Sequence, residues 1–366
     1  MNKKWTIVIV CVAIIVAIIT YLNFDKIEQY IMSKQWQFVD SIATIQADNI
    51  NQIATGKNLV TLTKNSVDFY KDMDKPINTI SVVTSEIITS VANEYTVIAD
   101  KVSGNVYMIK ENQKVWESKV KGTIFDIVVN KNGYVAITYS QVGYKSTIKV
   151  LKPNGEELFT TFLGSTYAID IDIADNNKRL AIAEVNTEGI KLESNIKIVE
   201  ISNTTDIKAT TVYTAADSLI LDIEYTTDNN LYILKDNGIV SIDKDNAIKN
   251  ILEYTHSEIA YSTIENSENA VAVRKAAVGI FVSESILEIY DEKGKKEYAL
   301  NTTPQDICVQ GKTIALNMGN EVIFVGTNGK LIKRYKLGNQ LRDIMLYDNG
   351  EMAALVFRNK IELVKI

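Results

Sequence analysis

The sequence predicts an all-β protein: an eight-bladed β-propeller, with seven blades as the alternative count, of four-stranded antiparallel blades preceded by one N-terminal transmembrane helix. Three observations predict it. An Asp-Ile signature recurs as DIVVNKNG at 126–133, DIDIADNN at 170–177, DIEYTTDNN at 222–230, DICVQGK at 306–312 and DIMLYDNG at 343–350, with a weaker copy, STIENSEN, at 262–269. The intervals from 126 to 343 average about 43 residues, the length of a four-stranded propeller blade. Between the signatures run short segments rich in Val, Ile, Thr and Tyr, separated by Asn- and Gly-containing turns, and no long helical periodicity follows residue 50. The third observation is an apolar run at the N-terminus.

That run, WTIVIVCVAIIVAIITYL at 5–22, holds no charge and spans about 27 Å as a helix, close to the thickness of a hydrocarbon core. Lys3 and Lys4 precede it, and Trp5 and Tyr21 stand at its ends. The positive-inside rule therefore keeps residues 1–4 cytoplasmic and places everything after the helix outside the cell membrane. No small-residue cleavage pattern follows in Thr20-Tyr21-Leu22-Asn23, which favours an uncleaved anchor over a signal peptide. Residues 23–35 read as a short juxtamembrane spacer with Ile27, Tyr30 and Ile31 at helical spacing. The propeller is then 36–366.

Units are expected to begin near residues 50, 87, 126, 170, 222, 262, 306 and 343. The 126 unit shows the grammar: strands at 126–129, 134–139, 147–151 and 157–162, joined by turns that include Lys131-Asn132-Gly133 and Pro153-Asn154-Gly155. The last unit, 343–366, is too short for a fourth strand. A segment within 36–45 is therefore expected to pair beside 360–366 and close the ring, leaving no exposed edge.

The anchor followed by NLVTLTKNSVDFYK, NEYTVIADKVSGNVYMIKENQKVWESKV and FDIVVNKNGYVAITYSQVGYKSTIKVLKPNGEELF resembles a family of membrane-anchored propeller proteins of low-GC Gram-positive bacteria. The resemblance covers nearly all of the chain after the anchor. It implies an eight-bladed, quinoprotein-like or WD40-like propeller and no assigned reaction.

Composition removes several function classes. The chain has 39 basic and 45 acidic residues, a formal charge of −6, so it lacks the basic face that nucleic acid requires. One histidine, His256, and two cysteines, Cys11 and Cys308, cannot build a His-rich zinc site or a CxxC pair. No metal and no cofactor are expected, and with only Cys308 after the anchor there is no intramolecular disulfide. Quinoprotein dehydrogenases hold their quinone with dedicated side chains and often a vicinal disulfide, for which this chain has no adjacent cysteines. His256 stands beside Ser257 and Glu258, but sequence neighbours do not make a triad and no GxSxG elbow surrounds a serine.

The binding candidates are Asp126, Asp170, Asp222, Asp306 and Asp343, which open the inner strands at one height around the central channel. Five carboxylates at one mouth call for a cation, a ligand's cationic group or local hydrogen bonds to offset their repulsion. The plainer expectation is that each accepts a backbone N–H in the turn entering its strand. Asp170-x-Asp172 with Asp175, and Asp243-Lys244-Asp245-Asn246, are oxygen-rich but lack the Gly and distal Glu of a calcium loop. The segment VNTEGIKLES at 185–194 is expected to be the longest hairpin connection of the ring and a candidate contact. These readings converge on a non-enzymatic scaffold of the bacterial cell envelope, membrane-held, binding a protein or a wall polymer. The alternative is an extracytoplasmic hydrolase, lyase or quinoprotein-like enzyme with its site at the channel mouth.

Overall fold

Each repeat folds into one four-stranded antiparallel sheet, and eight such sheets follow one another along the chain. In the computed structural model the described residues are 38–366, apart from 48–49, 189–192, 202–206, 217, 266–267, 276–284 and 292. The anchor expected at 5–22 and the spacer at 23–35 lie outside them. Blades 1 to 7 comprise 52–81, 87–119, 124–163, 167–215, 220–253, 259–300 and 306–336. Blade 8 draws three strands from 343–365 and its fourth from the other end of the chain, where Ser41–Gln46 pairs antiparallel with Lys360–Lys365 and Ile45 lies opposite Ile361. The expected closure is present and runs one residue past its expected end. Just before it, Phe38 bridges to Arg334 of blade 7 and the Val39 amide donates to the Arg334 carbonyl at 3.0 Å, so the closing segment is tied to two blades.

The second strand of each blade lies between its neighbours and is covered on both faces. Such strands read as continuous apolar runs, not as alternation: Val135–Tyr139, Leu180–Ala183, Ala270–Val273, Thr313–Asn317 and Met352–Val356 are buried at every position. Alanines at 136, 181, 183, 272, 315, 353 and 354 shorten the distance across which facing blades must fill space. The core is accordingly divided into eight apolar clusters, one at each junction between successive blades. Val97 and Met108 of blade 2 meet Ile127 and Ile137 of blade 3, and Leu59 and Tyr70 of blade 1 meet Tyr347 and Leu363 of blade 8. Each such buried aliphatic side chain contributes about 1.5–3 kcal/mol, and the contribution depends on a neighbouring blade being in place.

Two expectations are corrected. The weak copy is out by one residue, because Tyr261 pairs with Val273 as Asp222 pairs with Leu234; the position of the repeated aspartate is held in blade 6 by Tyr261, not Ser262. The hairpin of 185–194 is not the longest, since six residues separate its strands (ending at Asn186, resuming at Glu193) whereas nine separate Lys275 from Ser285. The extra length of the 170 unit goes instead into two eight-residue strands, Arg179–Asn186 and Glu193–Glu200, and the link that follows them.

Candidate functional site

In blades 3, 4 and 5 the inner strands, Ile124–Val129, Tyr167–Ile173 and Ile220–Tyr225, begin before the repeated aspartate. Their ladders skip one residue each. Ile124 faces Tyr139 and Asp126 faces Thr138, so Phe125 is left over; Ile169 and Leu221 are left over in the same way. A bulge of this kind releases a side chain from the pleat and re-aims it. The three released residues are large, apolar and 46%, 38% and 51% exposed, respectively.

The aspartates behind them are held by amides. Asp126, Asp170, Asp306 and Asp343 each accept the N–H of the following residue at 2.8 Å. Asp170 also reaches across to the next blade, where its second oxygen accepts the Ile223 amide at 2.7 Å. Two residues on, Asp172 repeats the device, accepting Ile173 at 2.8 Å and Tyr225 at 2.7 Å. These donors are strand amides and not the turn amides expected from sequence, and Asp170 and Asp172 staple blade 4 to blade 5. Ser90 and Cys308 occupy the Asp172 position in their own blades: Ser90 Oγ accepts the Val129 amide at 3.1 Å, and the Cys308 sulfur accepts the Leu346 amide.

The five aspartates form two groups. Asp126, Asp170 and Asp222 act on one another, Asp170 and Asp222 through a side-chain hydrogen bond, while Asp306 and Asp343 interact as a separate pair. Tyr261 of blade 6 stands between the groups on one side, and blades 1 and 2, without such an aspartate, on the other. Burial and then the neighbouring Asp222 charge raise the Asp170 carboxyl well above the ordinary range. Burial likewise raises Asp126 and Asp222, and Glu265 near them. It pushes Asp172 up to about 7 in spite of its two amide donors, and the Cys308 thiol up to about 12, which leaves that sulfur unreactive.

The remaining candidates are engaged locally. Asp243 Oδ1 accepts the amides of Asp245 and Ala247, both at 2.8 Å, in a turn completed by Asn246 at φ 64°. Asp175 pairs with Lys131 at 2.8 Å. His256 is exposed in a turn, where the Glu258 carboxylate takes the Thr255 amide and Ser257 Oγ pairs with Thr255 Oγ1. Among the described residues no group of three or more His, Cys, Asp or Glu side chains is placed to hold a metal ion.

The bulged residues belong to a larger feature. Where inner strands begin, second strands end and third strands begin, so these ends share one face of the ring, here the entry face. Of fifteen large apolar residues exposed among the described residues, nine lie on it, all between Val83 and Leu221. Tyr144 and Phe162 stack there with ring centroids 4.4 Å apart, and Lys145 lies over the Tyr167 ring at 5.0 Å. Sequence reasoning missed Phe125, Ile169 and Leu221, although the readable sign was an apolar residue directly before Asp-Ile in three successive copies.

A family model described as a family of unknown function (DUF5711) matches residues 29–366. The chain belongs to that family. No curated protein matches it. Among solved structures, this chain is similar in fold to BamB from Moraxella catarrhalis at TM-score 0.52 and 12% identity, over 90% of this chain and all of the other. The Cps50 (Swd1) β-propeller domain of Myceliophteria thermophila aligns over 87% of this chain and 99% of the other at TM-score 0.46 and 10% identity. Likeness at such identity speaks for the fold alone.

Proposed function

We propose that this DUF5711 protein is a non-enzymatic scaffold of the bacterial cell envelope, anchored through residues 5–22 with its propeller outside the membrane, and that the propeller binds another protein. The observation that carries the reading is the apolar entry face. Exposed apolar side chains scattered singly are ordinary, but a concentration on one face marks an interaction surface. The ring suits the task, since eight cores locked blade to blade present that face without the ordering cost a flexible binder would meet. Asp170 and Asp172 give an enzyme little to use: both oxygens of each already accept backbone amides, which holds them in one orientation.

Two measurements test the reading. Protease added to intact protoplasts should digest the propeller; a full-length protein that survives there and is cut only after lysis would refute the topology. Crosslinking of the tagged full chain in its own membrane should trap at least one protein reproducibly, and a chain that yields no protein adduct from any face would refute the scaffold.

A further inference from the structure

On the entry face of blades 3 to 5, apolar and acidic side chains are adjacent in each copy: Phe125-Asp126, Ile169-Asp170 and Leu221-Asp222. We propose that this face docks an extended segment of a partner polypeptide that lays apolar side chains on Phe125, Ile169 and Leu221 and inserts one Lys or Arg cation among Asp126, Asp170 and Asp222. The proposal rests on the protein-binding reading above and adds the chemistry of the partner. Half-exposed bulge residues offer apolar area that folding has left uncovered, and covering it is favourable by about 25 cal/mol per Å². The charge follows from the carboxylates. Asp170 accepts the amide of Ile223, the residue after Asp222, at 2.7 Å, and the inner strands of blades 3, 4 and 5 lie side by side, so the three carboxylates share one side of the mouth and act on one another; a cation between them offsets their repulsion.

Of the cations on this face, Lys101 pairs with Glu86 at 3.8 Å and also acts on Asp126, and Lys145 lies over Tyr167. Other occupants fit less well. An anionic membrane surface is repelled by an acidic mouth, and a second copy would bring an identical acidic face against it.

The test replaces Phe125 with the photo-crosslinker p-benzoylphenylalanine, an aromatic for an aromatic, in the full chain in its own membrane, with the same replacement at Ile248 on the opposite face as control. The expected product is an adduct with one partner protein, mapped to a segment in which a Lys or Arg is flanked by apolar residues. Asp222→Asn leaves the amide bonds of Asp170 and Asp172 in place and should lower adduct yield about tenfold or more, as removal of one side of a desolvated charge pair does. Asp343→Asn should leave the yield unchanged. An adduct with lipid, with a second copy, or with a segment lacking a basic residue would overturn the proposal, as would a yield indifferent to Asp222→Asn. If Phe125 captures nothing while Ile248 captures a protein, the scaffold reading stands and this proposal fails; if neither captures a protein, both fail.

Discussion

Blades 3 to 5 and blades 7 and 8 carry the same Asp-Ile pair on the same strand, and Asp126, Asp170, Asp306 and Asp343 accept their own next amide at the same 2.8 Å. The flanking residues differ. Before the aspartate stand Phe125, Ile169 and Leu221 on one side of the ring but Gln305 and Arg342 on the other; two residues after it stand Val128, Asp172 and Glu224 against Cys308 and Met345. The first difference decides whether the mouth is apolar or polar. The second sets how firmly blade 4 joins blade 5 and blade 7 joins blade 8, because the Asp172 carboxyl is a stronger acceptor of the next blade's amide than the Cys308 thiol is. One repeat residue thus serves the fold in the five blades that carry it, and its neighbours turn one side of the ring into a surface with its own chemistry.

The comparison breaks first, and most visibly, at Asp172 and Cys308, which occupy one repeat position. Asp172→Ala orphans the amides of Ile173 and Tyr225 and should cost about 2–3 kcal/mol at pH 6, since each buried unsatisfied donor costs about 1–3 kcal/mol. Cys308→Ala removes one weak acceptor and should cost about 1 kcal/mol or less. Urea midpoints of the detergent-extracted full chain measure both. Equal losses would mean that the inner-strand staples do not distinguish the two sides.

A smaller effect is the dependence of stability on pH. Folded Asp172 keeps its proton to about pH 7, whereas an unfolded aspartate releases it near 3.9. The folded state therefore binds the proton more tightly, and this contribution is fully present below pH ~4 and lost as pH rises through ~7. Asp126, Asp170, Asp222 and Glu265 are raised as well and act in the same direction. Groups lowered by lysine, Glu157 by Lys149 and Asp291 by Lys296, lose their contribution only on acidification below the ordinary carboxylate range. Between pH 5 and 8 the melting temperature should accordingly fall, and Asp172→Asn should flatten the fall while Asp343→Asn changes it less. A melting temperature that rises over this interval would contradict the burial of the acidic arc.

The ring and its closure were legible because the repeat marks its own spacing and the short last unit leaves a deficit of one strand that only the N-terminal side can fill. The bulges were not, because counting strands from the aspartate hides any residue released before it. Blade 6 shows a related error: matching Ser262 to aspartate by chemistry shifts the copy by one, whereas the turn asparagines, Asn230 and Asn269, align it correctly with Tyr261. The grouping of the aspartates was hidden as well, since it depends on which blades lack one.

The smallest stability effect is expected where the functional effect is largest. Phe125→Gln with Leu221→Arg gives blades 3 and 5 the residues that blades 7 and 8 have before Asp-Ile. Both side chains are about half exposed and outside the ladder, so neither leaves a cavity nor breaks a strand pair, and each change should stay within about 0.5 kcal/mol. Ile127→Ala, two residues further on, provides the contrast: Ile127 is 3% exposed in the core shared with blade 2, and its truncation should cost about 2–5 kcal/mol. If the apolar side of the mouth exists for binding, the doubly substituted chain should melt like the parent and lose crosslinked partner, with Leu221→Arg also setting a cation beside the carboxylates that the partner's cation would occupy. A large drop in melting temperature would instead assign Phe125 and Leu221 to the fold, and the two sides of the ring would then differ in packing alone.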